Sequence, residues 1–229
     1  MPLIEFRGAA VSYDGEQILQ PLTVSLAEQR IGIIGSNGSG KSTTVRMING
    51  LIEPTSGQVL YDGLTPEKHG KDIRKRVGFV FSDAESQIVM PRVADDVAFS
   101  LRRFKLPREE VKRRVSEVLE RFELTDRAEH SPHTLSGGEK QLLALASVLV
   151  IEPETIIADE PTTLLDLRNR RRIVRELMSL EQQLIVVTHD LEMLRDFDRV
   201  LVIDDGALAY DGTPDDAIAF YTDLMDAKP

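Results

Sequence analysis

One run of this chain has the residue types and spacing to hold phosphate. Gly35-Ser36-Asn37-Gly38-Ser39-Gly40-Lys41-Ser42 fits G-x-x-x-x-G-K-[ST] at every fixed position. Glycines let the backbone turn so that successive N–H groups face inward. Those amides, with the positive end of a helix starting at Lys41, bind phosphate oxygens. The substrate this implies is a nucleoside triphosphate: residues 35–40 cradle its phosphates and Lys41 reaches the β- and γ-phosphates. Ser42 ligates Mg²⁺, and Thr43 follows in the same turn. A glycine-rich turn before a helix can be merely structural, and a loop of this kind also serves kinases and GTPases.

Two further groups of residues could do chemistry. Asp159-Glu160 ends an apolar run. There, one acid can orient Mg²⁺ through water and its neighbour can position and deprotonate an attacking water. His189, between Thr188 and Asp190, ends the next apolar run, where a lone histidine is usually structural. Ser136 with Glu139 reads as a capping box for a helix start. The box leaves Gly137 and Gly138 unexplained, because glycine weakens a helix start unless backbone must approach something closely. His130 and His133 form no metal motif.

These residues need elements to carry them. Leu3–Arg7, Ala10–Tyr13 and Leu22–Leu26 read as short strands, and Arg30–Ile34 as the apolar strand that feeds the phosphate loop. A helix is expected from Lys41 to Asn49, stopped at Gly50. Gln58–Tyr61 and Val77–Phe81 follow as strands. Helical spacing then dominates, over Arg92–Leu106, Arg108–Phe122 and Gly137–Ile151. Strands return at Thr155–Ala158, Leu184–Thr188 and Val200–Asp204. Their continuous apolar character is that of buried parallel strands. The fold class is α/β: one domain over 1–229, its mixed core at about 1–81 and 155–229, with an inserted helical subdomain at about 82–154.

Bulk composition narrows the function. The chain has 229 residues, 41% hydrophobic and 29% charged, as expected of an ordinary globular protein. Its net charge of −10 argues against general nucleic-acid binding. The absence of cysteine removes disulfides and thiolate metal sites. The N-terminus lacks a secretory pattern. The longest nearly apolar run, Leu142–Ile151, is too short to span a bilayer. The expected location is therefore cytoplasmic, with any membrane role supplied by a partner.

Taken in order, the phosphate loop, Leu135-Ser136-Gly137-Gly138-Glu139-Lys140-Gln141, Ile156-Ile157-Ala158-Asp159-Glu160-Pro161 and His189 resemble the ATP-binding-cassette (ABC) ATPases over essentially the whole chain. The resemblance implies a P-loop NTPase fold of ABC type. It implies that Ser136, Gly137, Gly138 and Glu139 meet the γ-phosphate of ATP held by a second chain. Two copies would then sandwich two nucleotides, a homodimer being expected. Glu160 becomes the catalytic base, His189 the switch histidine on the γ-phosphate, and Lys41 a third catalytic residue. Tyr13 stacks on adenine, and Asp166 in Leu164-Leu165-Asp166 belongs to a D-loop crossing the dimer interface.

The chain departs from the family where a glutamine usually follows the Phe of Val77-Gly78-Phe79-Val80-Phe81. Ser82 stands there, as a substitute Mg²⁺ ligand beside Ser42 and Asp159 or with help from Asp83, and Gln87 comes later with a different role. Gln87 and the stretch Met90–Phe99 resemble energy-coupling-factor ATPases, which include biotin, cobalt and nickel systems. The implied function is the ATP-hydrolysing subunit of a vitamin or metal-ion importer, biotin or cobalt in the first instance. It would sit on the cytoplasmic face of the membrane with integral membrane subunits docked around Ser82–Asp96. Arg102, Arg103, Lys105 and Arg108 form a basic cluster suited to a solvated helix face, or to contact with anionic lipid or the partner. The alternative is a non-transport ABC ATPase acting as a mechanochemical switch on ribosomes or DNA.

Overall fold

The computed structural model describes residues 1–163 and 165–228. Leu164, in the segment expected to form a D-loop, therefore lies outside the described residues. In chain order the elements begin with β1 (Ile4–Tyr13), β2 (Glu16–Leu26), β3 (Arg30–Ile34), α1 (Lys41–Ile48), β4 (Ser56–Tyr61), α2 (Pro66–Arg76) and β5 (Val77–Val80). Helices α3 (Ala84–Gln87), α4 (Val93–Leu101), α5 (Arg108–Arg121) and α6 (Gly137–Leu149) come next. The chain closes with β6 (Thr155–Asp159), α7 (Leu167–Met178), β7 (Gln183–Val187), α8 (Leu191–Leu194), β8 (Arg199–Asp204), β9 (Ala207–Gly212) and α9 (Pro214–Ala227).

Strands β5, β6, β7, β3 and β8 are parallel neighbours in that order, and β9 closes the sheet antiparallel to β8. A separate antiparallel sheet has the order β2-β1-β4. Side chains alternate across a strand, and the central strands divide their residues accordingly. Ile156, Ala158, Leu184 and Val186 pack with α4, α5, α6 and α7 in one core. Ile157, Ile185 and Val187 pack with α1 and the small sheet in a second. Both faces of the parallel sheet are thus buried, which is why its strands read as unbroken apolar runs.

The structure shifts some expected boundaries. Leu3–Arg7 and Ala10–Tyr13 are one strand, irregular in its pairing between Arg7 and Ala10. The helix expected over Arg92–Leu106 ends at Leu101, followed by a 3₁₀ turn at Arg102–Phe104. Lys105 then turns to φ 52° and Pro107 excludes a continuing helical amide. Among the described residues no helix is long and apolar enough to cross a membrane.

Candidate functional site

Strand β3 delivers the chain into the phosphate loop, and α1 leaves from it. Gly38 and Gly40 lie at φ 78° and 98°, conformations that L side chains resist. They fold the loop so that Asn37 through Thr43, with Ile18, Glu160 and His189, line an open cavity of about 380 Å³. Lys41 is 6% exposed. Its Nζ donates to the carbonyls of Gly35 at 2.9 Å and Ser36 at 2.8 Å. Burial pulls its pKa below the usual lysine range, opposed by the charges of Glu160 and Asp159. The Ser36 hydroxyl reaches Asp204 at 3.4 Å. Ser39 Oγ is buried with no hydrogen-bond partner among the described residues.

Neighbouring strand ends bring the acids and the histidine to this cavity. Asp159, 2% exposed, ends β6. It accepts from Ser42 Oγ at 2.8 Å and from the Arg46 guanidinium at 3.0 Å. Arg46 was not anticipated from sequence. It lies one turn into α1 from Ser42, and its charge compensates the buried carboxylate. Glu160 follows with φ 54°, a left-handed conformation that is uncommon for a non-glycine residue and concentrates at functional sites. Two bonds hold it there: its N–H donates to Val187 O at 2.8 Å, and its carbonyl accepts from Thr163 N at 3.2 Å.

His189 Nε2 lies 3.0 Å from both Glu160 Oε1 and Asn37 Oδ1. A single ring N–H can serve only one at a time, and the bond geometry favours Asn37. Glu160 Oε1 is then buried without a hydrogen-bond partner among the described residues. Desolvation raises the Glu160 pKa and Asp159 adds to the rise, while His189 and Lys41 oppose it. A partly buried carboxylate with one oxygen making no hydrogen bond among the described residues, lining the same cavity as the phosphate loop, can take a proton from water.

The remaining expected residues lie apart. Tyr13 ends β1, 53% exposed, and does not line the cavity. Ser136 to Glu139 open α6 away from it. There the capping box forms in full: Ser136 N donates to Glu139 Oε2 at 2.8 Å, and Glu139 N donates to Ser136 Oγ at 3.3 Å. Asp166 is the N-cap of α7, accepting from Asn169 N. The register of β5 on β6 pairs Val80 with Ala158, so Ser82 leaves its strand at about the level of Glu160. Gln87 folds back to bridge the end of β5. Its Oε1 accepts from Phe81 N at 3.1 Å and its Nε2 donates to Phe79 O at 3.2 Å.

Two strand ends that supply an Asp-Glu pair and a histidine to a glycine-rich loop, on a mainly parallel sheet, define a P-loop nucleoside triphosphatase. The family model for ABC transporters matches residues 19–163. The biotin transport ATP-binding protein BioM of Rhizobium etli is 45% identical, covering 96% of this chain and 98% of its own. The energy-coupling factor transporter ATP-binding protein EcfA1 of Oceanobacillus iheyensis is 39% identical, over 93% of this chain and 79% of its own. Among solved structures, cbiO1 of Clostridium perfringens, part of the ABC transporter complex cbiONQ, superposes with a TM-score of 0.83 at 30% identity. That match covers 97% and 93% of the two chains. The chain belongs to the ABC transporter family and is an ATPase of the energy-coupling-factor type.

Proposed function

We propose that this ATPase energises uptake of a vitamin or metal ion, biotin or cobalt, as a homodimer docked on integral membrane subunits at the cytoplasmic face. The observation that carries this reading is the split of the site. The cavity is lined by the phosphate loop, Glu160 and His189 and by none of Ser136–Glu139, while Gly137 faces open space among the described residues. A second copy would bring its Ser136–Glu139 turn to the γ-phosphate and complete the site twice. The names of the relatives above support the cargo class.

ATP enters with its phosphates on residues 35–43 and its adenine against the exposed Tyr13. Lys41 and His189 offset charge on the γ-phosphate. Glu160 takes a proton from the attacking water as the γ-phosphoryl leaves ADP. Ser42 Oγ and Asp159 Oδ1 lie together as hard oxygen donors, and the described residues hold no cluster of three His, Cys, Asp or Glu that could cage a metal. That donor set fits Mg²⁺, which takes one or two protein oxygens plus phosphates and water, with Ser82 as a further ligand. When bound, the ion neutralises phosphate charge.

Residues 82–154 act as a lobe that moves on the core at 1–81 and 155–229. A groove lined by Leu51, Phe79, Phe81, Gln87, Arg103 and Val148 lies between them, beside the exposed Phe99. There a helix of the membrane partner would seat. ATP binding closes the dimer and hydrolysis reopens it. The test is ATP-dependent uptake of labelled biotin or cobalt into vesicles carrying the membrane subunits. Uptake should require this chain and fail with Glu160→Gln. Uptake that proceeds without the chain would overturn the reading.

A further inference from the structure

Asn169 sits in the first turn of α7. Its backbone N–H donates to Asp166 Oδ1 at 2.8 Å and its side-chain Nδ2 donates to Asp166 Oδ2 at 3.0 Å. One residue therefore engages both oxygens of that carboxylate. The same amide lies across the start of α6. A Cβ added at Gly138 would stand 2.2 Å from Asn169 Cγ and 2.5 Å from both Nδ2 and Oδ1. Real Cβ atoms do not approach so closely, so Gly138 must be glycine for Asn169 to lie there. A Cβ added at Gly137, one residue earlier, would meet nothing within 4 Å among the described residues. Of the two glycines that a capping box leaves unexplained, one faces outward and the other is occupied from within the same chain.

Capping α7 needs only the Asn169 N–H on Asp166. The second bond, and the seating of the amide on Gly138, do something else. They join the N-terminus of α7 to the N-terminus of α6, whose first turn is itself fixed by Ser136 and Glu139. On the composite-site reading, these two segments are what this chain sends to the nucleotide of the other copy.

We propose that Asn169 is a positioning residue that locks Asp166 to the Ser136–Glu139 turn, so that both segments reach the opposite copy's ATP as one rigid unit. The proposal rests on the composite site. Small misplacements of such groups cost up to ~100-fold in rate.

The test uses two full-length variants that are each inactive alone, Lys41→Ala and Ser136→Arg. In their mixture, the one competent site pairs the phosphate loop of the Ser136→Arg copy with the turn of the Lys41→Ala copy. Asn169→Ala on the Lys41→Ala copy should lower the restored kcat by about 10-fold or more, with KM for ATP little changed. On the Ser136→Arg copy it should leave turnover near that of the parent mixture. Asn169→Asp keeps the shape but sets a carboxylate against Asp166, so it should behave like Ala. Thermal unfolding midpoints should match those of the parent variants. Equal losses from both placements, or no loss from the first, would overturn the proposal alone. A parent mixture with no activity would overturn the composite site and the proposal with it.

Discussion

Glu160 combines a left-handed backbone, a partly buried carboxylate and one buried oxygen that makes no hydrogen bond among the described residues, though His189 Nε2 lies 3.0 Å from it. Each is a local cost that packing alone does not require, and together they suit a base aimed at a phosphate. Glu160→Gln keeps the shape and removes the proposed base. It should bind ATP and lower phosphate release by about 10²- to 10⁴-fold. Because the folded pKa is raised, the acid limb of kcat/KM should lie above the ordinary glutamate value, with activity falling as pH drops through it. The stability sign is the reverse of a salt-bridged acid. Ionised Glu160 penalises the fold above its raised pKa, and the penalty vanishes below the unfolded pKa of about 4.3. Glu160→Gln should therefore raise the thermal midpoint at neutral pH and lose that advantage in acid. A midpoint unchanged across this range would show that burial of the charge is not costly. At Ser82, restoring glutamine should keep or raise ATPase activity; loss of Mg²⁺-ATP binding in Ser82→Gln would remove Ser82 as a ligand position.

At the scale of elements, Asp96 shows how the helical insertion is held to a shape. It is buried on α4 and accepts from Val89 N at 2.8 Å, Met90 N at 3.0 Å and Ser147 Oγ at 3.3 Å. One carboxylate thus fixes the exposed loop at Val89 to α6. Asp96→Ala leaves those amides unsatisfied and should cost about 1–3 kcal/mol. Hydrogen exchange should quicken at Val89 and Met90 first; protection unchanged there would show that the loop is held by something else. Much of the architecture was legible in the sequence because burial on both faces makes β5, β6 and β7 continuous apolar runs. The phosphate loop and the Ser136/Glu139 capping box were legible because their chemistry depends on short fixed spacing. What escaped depends on distant parts of the chain. Arg46 and Asp159 are 113 positions apart. Gln87 owes its role to the short α3 turning it back on β5, and Asn169 meets Gly138 only after α6 and α7 pack. Helix α2 gave little signal, since only Gly70 and Ile73 of it are buried.

Over the whole molecule, the phosphate cradle and the Ser136–Glu139 turn lie on different elements, and the cavity of one chain takes in only the first. At the head of that turn a Cβ added at Gly137 would meet nothing within 4 Å among the described residues, which leaves room for a second copy to approach it. A single copy should bind ATP and hydrolyse it poorly. The most direct test is complementation between the Lys41→Ala and Ser136→Arg chains. Each should be inactive alone, Ser136→Arg should still bind ATP, and mixing the two should restore phosphate release. Wild-type turnover by Ser136→Arg alone, or a mixture as inactive as its components, would contradict a site shared between two copies.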